Sequence, residues 1–244
     1  MDLLELLLNS LPREPIPVRK VVIGLHWTLV ASHHCGLSST VQTEGPHGES
    51  RIRDVGFLHL KTAQELASWV LSENTLEASL GMAAINSLLD LDETRLDEVN
   101  AAEVIARESE GKNLAVVGHF PFVKNVQPLT RNCWVIEKRP ASGELAEEEA
   151  RTFIPQADVV AVTGTAFINH SLPGLLALCP PNARVLILGP STPLSPLLFQ
   201  HGIHFLSGAR VEDEEAAVLT IQQGASLPQV KGVRLLTMRK EDWV

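Results

Sequence analysis

Residues 158–174 constrain the fold of this chain more than any other stretch. They open with a short apolar run, residues 159–162, whose β-branched side chains are typical of a buried parallel strand. A small polar turn follows at residues 163–165, and apolar side chains then recur at helical spacing from Phe167 to Leu178. A strand, a turn and a helix make half of a βαβ unit. In open parallel sheets, ligands bind beyond the carboxyl ends of such strands.

The rest of the second half repeats this alternation of apolar runs and helical patterns. The runs lie at residues 114–117, 133–136, 159–162, 185–188, 204–206 and 233–237. Alternation of this kind predicts an α/β domain built on a doubly wound, mostly parallel sheet.

The first half has a different organisation. Its Leu-rich start predicts an amphipathic helix, and residues 18–32 and 37–42 predict two strands. Helical spacing then predicts two helices, over residues 61–72 and 75–90. Strands followed by helices indicate an α+β arrangement. We therefore expect a small α+β domain over residues 1–98 and a Rossmann-like α/β domain over residues 99–244, in which a helix begins at Asn100.

Composition argues against several classes of protein. The net charge is −9, the acidic excess lies in the first half, and no basic stripe suggests a nucleic-acid partner. No apolar run reaches membrane-spanning length, so a membrane partner is not expected either. The three cysteines, Cys35, Cys133 and Cys179, are widely spaced and odd in number. They argue against a disulfide framework and for a reducing compartment, the cytoplasm.

Three turns should meet at the carboxyl edge of the sheet, at residues 118–121, 163–165 and 189–193. In the last, Ser191 or Thr192 is placed to cap a helix whose first turn holds Pro193. Hydroxyls and free amides there would suit a carboxylate or a phosphate. For each turn alone, ordinary helix capping is the better explanation. Three turns on one edge favour a ligand site.

The first turn argues against a dinucleotide. His119 and Phe120 follow Gly118, where a dinucleotide fold needs small residues, so a pyrophosphate could not approach the backbone closely. Glu137 ends the second strand of the sheet, where ribose-binding acids often lie. An acid at this position is compatible with an adenosine-like or S-adenosylmethionine-like ligand. A charge in solvent at the end of a strand is an equally good explanation for Glu137.

His119 is the best candidate for a general acid or base, because imidazole titrates near neutrality and this residue directly follows a strand. His170 lies beside Asn169 in the predicted helix after Thr165 and could point outward. No nucleophile signature is present. Cys133 and Cys179 lie in apolar contexts that are typical of inert thiols.

A second candidate site is the run His33-His34-Cys35, which suits a soft metal. If this segment is a strand, His33 and Cys35 share one face and His34 points to the other. Two ligands do not complete a zinc site. A third would have to come from His26, His47 or Glu73.

The helix that begins near Thr75 has two interpretations. Asn74 or Thr75 caps it, and Glu77 and the apolar face are structural; alternatively, Glu73 and Asn74 face the other domain. Gly81 in its interior costs about 1 kcal/mol relative to Ala, so close packing is expected there.

Several motifs resemble a known family when they are taken together: residues 73–75 with 81–86, 117–121, 163–165 with 169–171, and 189–193. In combination they resemble the putative heavy-metal chelation family, a bacterial and archaeal group of unknown function, over about residues 10–240. The resemblance implies an enolase N-terminal-like domain followed by a Rossmann-like domain similar to methyltransferases. It also implies an interdomain active site, where Glu73, Asn74 and Asn86 would face His119 and Thr163.

The same resemblance implies an enzyme for condensation or hydrolysis in the synthesis of pterins, flavins or metal chelators. On this hypothesis His119 and Glu73 are catalytic and act on a small anionic molecule, S-adenosylmethionine-like or pterin-like. The residues expected to hold that molecule are Asn74, Asn86, Phe120, Glu137, Thr163, Gly164, Thr165, Asn169, Gly189, Ser191 and Thr192. The alternative is a non-catalytic protein that binds a metal or a metal–chelator complex through His33 and Cys35. A homo-oligomer is compatible with either hypothesis.

Overall fold

A computed structural model describes residues 3–42 and 51–243. The first part of the chain begins with α1 (Leu3–Ser10), the predicted amphipathic helix, and continues into an antiparallel sheet in the order β1-β2-β3. The strands are β1 (Lys20–Ile23), β2 (Trp27–Ala31) and β3 (Cys35–Ser39). Two helices follow, α2 (Ala63–Ser68) and α3 (Thr75–Leu88), joined through a 3-10 turn. Helix α3 packs across β2 and β3.

The single long strand predicted over residues 18–32 is wrong. A turn at residues 24–26 divides it into β1 and β2, and the Gly24 N–H donates to the Trp27 carbonyl over 2.8 Å. A Cβ on Gly24 would lie 2.7 Å from Ile221 Cγ2, so a larger residue would clash there. The apolar pattern predicted one strand because Leu25 continues it, but Leu25 lies at the turn with 66% of its surface exposed. The predicted loop over residues 44–48 lies outside the described residues.

The second part is an α/β domain. Its elements in chain order are α4 (Ala101–Ser109), β4 (Asn113–Val117), α5 (Val123–Val126), β5 (Asn132–Glu137), β6 (Leu145–Ala146), α6 (Ala150–Phe153), β7 (Val159–Thr163), α7 (Thr165–Ile168), α8 (Leu172–Leu178), β8 (Arg184–Leu188), β9 (Phe205–Val211), α9 (Glu214–Gln222) and β10 (Val233–Arg239). All six predicted strands are present, and the α/β class with a small α+β part before it is confirmed. The prediction omitted β6, which has only two residues.

The sheet of this domain has the order β10-β9-β8-β7-β4-β5-β6. All neighbouring strands pair in parallel except β9 and β10, which are antiparallel. The chain runs outward from β4 to β6 and then returns to place β7 on the other side of β4. The strand order therefore reverses between β4 and β7. That switch is where open α/β sheets bind ligands.

The helix predicted after Thr165 is wrong as a single element. It is divided into α7 and α8 at His170, whose φ is +60°. The Asn169 carboxamide oxygen accepts from the Ser171 N–H over 3.1 Å and from the Ser171 hydroxyl over 2.6 Å. Such a local turn competes with helical hydrogen bonding, which explains the break.

The two parts of the chain share one hydrophobic core. Leu7, Leu66 and Ile85 from the first part belong to the same buried cluster as Val160 and Phe199 from the second. The division near residue 98 stays a prediction. No helix within residues 3–42 and 51–243 is long and apolar enough to cross a membrane.

Candidate functional site

A cavity of about 200 Å³ lies at the carboxyl ends of β4, β5 and β7. Gly118 follows β4, Glu137 ends β5 and Thr163 ends β7, and all three line the cavity. Thr165, at the start of α7, lines it as well. Val41, two residues after β3, lines it from the first part of the chain. The cavity thus occupies the switch between β4 and β7.

The polar groups of this switch cavity are fixed by their neighbours. The hydroxyls of Thr163 and Thr165 lie 3.0 Å apart. The Lys138 N–H donates to Glu137 Oε2 over 2.9 Å. Lys138 Nζ lies 3.8 Å from Glu147 Oε1. With Asn169 and Ser171, these side chains can bind the hydroxyl, amine and carbonyl groups of a small molecule.

Gly118 and Gly164 are both required by close packing at the turns. Gly118 has a φ of +115°, and a Cβ there would lie 2.9 Å from Thr163 Cβ. A Cβ on Gly164 would lie 2.7 Å from Thr192 Oγ1 and 2.8 Å from Thr192 N. Gly118 lines the switch cavity, whereas Gly164 is buried against Thr192.

His119 is adjacent to the switch cavity but does not line it. Its Nδ1 lies 2.8 Å from Glu144 Oε1, and 63% of the His119 side chain is exposed. Hydrogen bonds from the Ala141 N–H and from His119 lower the pKa of the Glu144 carboxyl. Glu144 precedes β6, which pairs with the end of β5, so the pair lies at the same sheet edge as the cavity. No sequence signal indicated Glu144, because it lies in a polar loop.

Phe120 and Gly189 line a different surface. They border an apolar groove of about 230 Å³ together with Val99, Phe122 and Leu235. The structure therefore separates these two residues from the switch cavity, although their turns follow strands of the same sheet.

The predicted helix cap at Ser191 or Thr192 is wrong. The next helical segment is a 3-10 helix that begins at Pro196. Ser191 Oγ accepts from the Ser39 N–H over 2.8 Å, and both Ser191 and Thr192 are buried. This turn connects β3 to the second part of the chain. The predicted cap implied a helix start whose free N–H groups could bind an anion. No helix begins at Pro193, so this turn has no such helix start.

The start of α3 lies beside the switch cavity. The Thr75 hydroxyl donates to the Val41 carbonyl over 2.7 Å, and Val41 lines the cavity. Asn74 caps α3, because its Oδ1 accepts from the Leu76 N–H, and Glu73 beside it is exposed. Asn86 lies 11 residues further along the helix than Thr75, which is roughly 16 Å.

The Asn86 side chain makes a hydrogen bond within the first part of the chain. Its Nδ2 donates to the Leu37 carbonyl over 2.9 Å, and its Oδ1 is buried with no partner among the described residues.

His170 connects the α7–α8 break to the first part of the chain. Its Nε2 lies 2.8 Å from the Val70 carbonyl oxygen.

The buried carboxylate of α3 belongs to Glu77. It accepts two hydrogen bonds from the Arg53 guanidinium, over 2.8 and 2.9 Å, and one from the Ser72 hydroxyl over 2.7 Å. Burial alone would raise the pKa of the Glu77 carboxyl, but these hydrogen bonds outweigh burial and the pKa is lowered. The structural role predicted for Glu77 agrees with this geometry.

Cys35 does not belong to the group of possible metal donors that contains His33 among the described residues. Residues 32–34 make the turn between β2 and β3, so strand alternation does not apply to them. Cys35 is buried, and burial raises the pKa of its thiol to about 12. His33 and His34 instead both approach Asp90. His47, one of the predicted third ligands, lies outside the described residues.

The family follows from comparison with known proteins. Residues 100–240 match a family model described as putative heavy-metal chelation, and residues 4–89 match a second model with the same description. The first match alone covers more than half of the chain. The chain belongs to the putative heavy-metal chelation family. The resemblance inferred from the motifs is thereby confirmed.

Two solved structures and one further protein are similar to this chain. A crystal structure of a protein of unknown function from Desulfitobacterium hafniense has a TM-score of 0.82 at 27% identity and covers 97% of this chain and 96% of its own. A second, from Pyrococcus horikoshii, has a TM-score of 0.81 at 19% identity with 97% of each chain covered, and shows the shared fold. An uncharacterized protein of Methanocaldococcus jannaschii is 27% identical over 180 residues, 70% of this chain and 69% of that protein.

Proposed function

We propose that the switch cavity binds a small molecule with a ribose-type diol, of the adenosyl class. Glu137 carries this proposal, because it ends the second strand of the parallel sheet and lines the cavity at the switch. A carboxylate at this position can accept hydrogen bonds from both ribose hydroxyls. The Thr163 and Thr165 hydroxyls at the neighbouring strand end supply further donors and acceptors.

The size of the cavity is consistent with binding of one part of the proposed ligand. Sites that enclose a drug-sized ligand have about 300–1,000 Å³. The cavity has about 200 Å³, but an open cleft of about 700 Å³ adjoins it and shares Glu147, Ser171 and Leu175 with it. A nucleoside-sized group in the cavity would leave the rest of the ligand in this cleft.

Charge favours a neutral or cationic group in the cavity over an anionic one. Glu137 and Glu147 bring two carboxylates to its lining, and Lys138 brings one ammonium group. Arg151 lines the adjoining cleft and could pair with a carboxylate of the ligand there. An amino-acid-bearing adenosyl compound combines these features.

A reaction at this site would use the His119–Glu144 pair. Because Glu144 occupies Nδ1, the ring is oriented to exchange a proton through Nε2. Glu73 is exposed just before α3, two residues before Thr75, and keeps its predicted role as a second carboxylate in this proposal. We infer that the pair serves a condensation or hydrolysis that leads to a metal-chelating small molecule.

Isothermal titration with adenosine, 2′-deoxyadenosine, 3′-deoxyadenosine and S-adenosylhomocysteine tests the binding site. Loss of one hydrogen bond to a charged group, about 1.5 kcal/mol, should weaken binding of either deoxynucleoside about tenfold relative to adenosine. E137Q should bind adenosine at least tenfold more weakly than the unaltered protein. E215Q is the matched control, because Glu215 is exposed at the start of α9.

Three outcomes would contradict the proposal. The first is equal affinity of the unaltered protein for adenosine and both deoxynucleosides, and the second is no binding of any of the four compounds. The third is unchanged adenosine affinity in a folded E137Q. The comparison of nucleosides needs no variant, so it decides the matter even if E137Q fails to fold.

A further inference from the structure

The β2–β3 turn and the end of α3 bring together three metal-binding side chains. The donor atoms of His33, His34 and Asp90 all lie within 4.8 Å of one another. Asp90 Oδ1 is 2.7 Å from His34 Nε2 and 3.2 Å from His33 Nε2. Two imidazoles and one carboxylate are donors suited to Zn²⁺, Ni²⁺, Co²⁺ and Fe²⁺. We propose that these three residues bind a divalent transition-metal ion.

The backbone that carries both histidines is fixed to α3. The His34 N–H donates to the Ser87 carbonyl over 2.9 Å, and the Ser32 and Ser87 hydroxyls lie 2.6 Å apart. Asp90 follows Ser87 by three residues in the chain. The backbone of both histidines is therefore held next to the end of α3 and Asp90 before a metal arrives, which favours binding.

The separations of the donors suit a metal ion. Metal–nitrogen bonds of about 2.0–2.1 Å in a tetrahedral site place neighbouring donors roughly 3.3 Å apart. The His33–Asp90 separation of 3.2 Å already meets this, and the His34–Asp90 separation of 2.7 Å would have to widen by roughly 0.6 Å. A small rotation of the Asp90 side chain, which is 76% exposed, is enough to reach this donor separation.

The proposed site is open to solvent. The His33 side chain is 49% exposed and that of His34 is 23% exposed. Three protein donors on a tetrahedral ion leave one position for water or for a ligand from solution, as in catalytic zinc sites. A metal that is bound this way can be exchanged with a small chelator.

This site is separate from the switch cavity. The cavity lies near Thr75, at the start of α3, and Asp90 lies just past the end of that helix. Fourteen helical residues span about 21 Å. The metal proposal therefore does not depend on the adenosyl proposal, and each can fail alone.

Metal titration of the full chain, without a histidine tag, tests the site. The unaltered protein, stripped with a chelator, should bind Zn²⁺ at this site, and Co²⁺ should give visible absorption bands. D90N and H34A should each weaken Zn²⁺ binding at least tenfold. H59A should leave Zn²⁺ binding unchanged, because His59 lies exposed in a separate 3-10 helix.

Thermal denaturation confirms that each variant is folded before its affinity is compared. Zn²⁺ affinity that is the same in folded D90N and H34A as in the unaltered protein would overturn the proposal. Absence of Zn²⁺ binding by the unaltered protein would overturn it as well. C35S distinguishes the cluster of His33, His34 and Asp90 from a site formed by His33 and Cys35. The cluster requires unchanged Zn²⁺ affinity in C35S, whereas the His33–Cys35 site requires weaker Zn²⁺ binding.

Discussion

Arg210 opposes metal binding at His34. Arg210 Nη2 lies 3.2 Å from His34 Nδ1, and a guanidinium can only donate hydrogen bonds. Nδ1 is therefore the acceptor, and the proton of the neutral ring lies on Nε2, toward Asp90. An imidazole that binds a metal through Nε2 carries its proton on Nδ1, which Arg210 cannot accept. Metal binding must displace this arginine.

Replacing Arg210 should therefore strengthen Zn²⁺ binding. In R210Q a carboxamide oxygen can accept the Nδ1 proton, and partners of this kind change metal affinity about tenfold or more. Zn²⁺ titration of R210Q measures the effect. R239Q is the control, since Arg239 pairs with Asp97 instead. Weaker or unchanged Zn²⁺ binding in R210Q would show that Arg210 does not compete with the metal for His34.

Glu77 should make stability depend on pH. Its folded-state pKa is lowered, so the stabilisation is present above the ordinary carboxyl pKa and is lost as pH falls through the folded value. E77Q should cost about 1–3 kcal/mol at pH 7 and less near pH 3. Urea denaturation at the two pH values measures this. E73Q, at the exposed start of the same helix, should change stability by less than about 0.5 kcal/mol at either pH.

Asp90 and Glu144 show why single residues of the proposed sites were hard to predict. Glu144 lies in a polar loop, where no periodic pattern places a side chain. Asp90 lies just past the end of α3, at the last position of the helix predicted over residues 75–90. Glu137 and Thr163 were predictable, because each ends a strand that reads as an apolar run. Strand ends can be located from sequence, whereas the direction of a loop side chain depends on contacts with distant residues.

At the scale of elements, two helix glycines differ in how closely other atoms pack against them, and the close packing predicted at Gly81 is present. A Cβ on Gly81 would lie 2.1 Å from Val70 N, so the helix would have to move away from the preceding 3-10 turn. G81A should destabilise the protein by about 3 kcal/mol despite its better helix propensity. G174A in α8 meets nothing within 4 Å and should stabilise by up to about 1 kcal/mol.

Thermal denaturation measures both glycine variants, at about 2–4 °C per kcal/mol for a chain of this size. The two shifts should have opposite signs. A gain in stability for G81A would show that the helix can move without cost and that the packing is looser than the contact with Val70 indicates.

The elements themselves were predicted unevenly. The buried strands of the large sheet read as continuous apolar runs and were all located. The β1–β2 turn was missed because Leu25 and the residues around it continue the apolar pattern. The α7–α8 break was missed because the turn at Asn169 does not interrupt the helical spacing of the apolar residues. Both failures arise where a local turn occurs inside an apolar stretch.

At the scale of the whole molecule, the predicted edge of the sheet is only partly one site. The turns after β4 and β7 meet at the switch cavity, but Phe120 and Gly189 border the apolar groove, and Ser191 is buried against Ser39. The sequence locates the carboxyl edge of the sheet. The packing of the first part of the chain against that edge decides which of its surfaces are accessible to a ligand.

Several contacts join the first part of the chain to the second. The Trp27 indole N–H donates to the Ala225 carbonyl over 2.9 Å, His170 reaches Val70, and β3 packs on β9. Leu66 and Phe167 belong to one buried cluster. Because neither part can leave without exposing this shared apolar surface, we expect the two parts to unfold together.

Scanning calorimetry should therefore show one transition, with calorimetric and van't Hoff enthalpies that agree. At about 0.7 kcal/mol per residue near 60 °C, a chain of 244 residues that unfolds as one unit should absorb about 170 kcal/mol. S191A, which removes the link to Ser39, should shift this transition without splitting it. Two resolved transitions in the unaltered protein would mean that the parts are independent domains and that the shared core contributes little to their coupling.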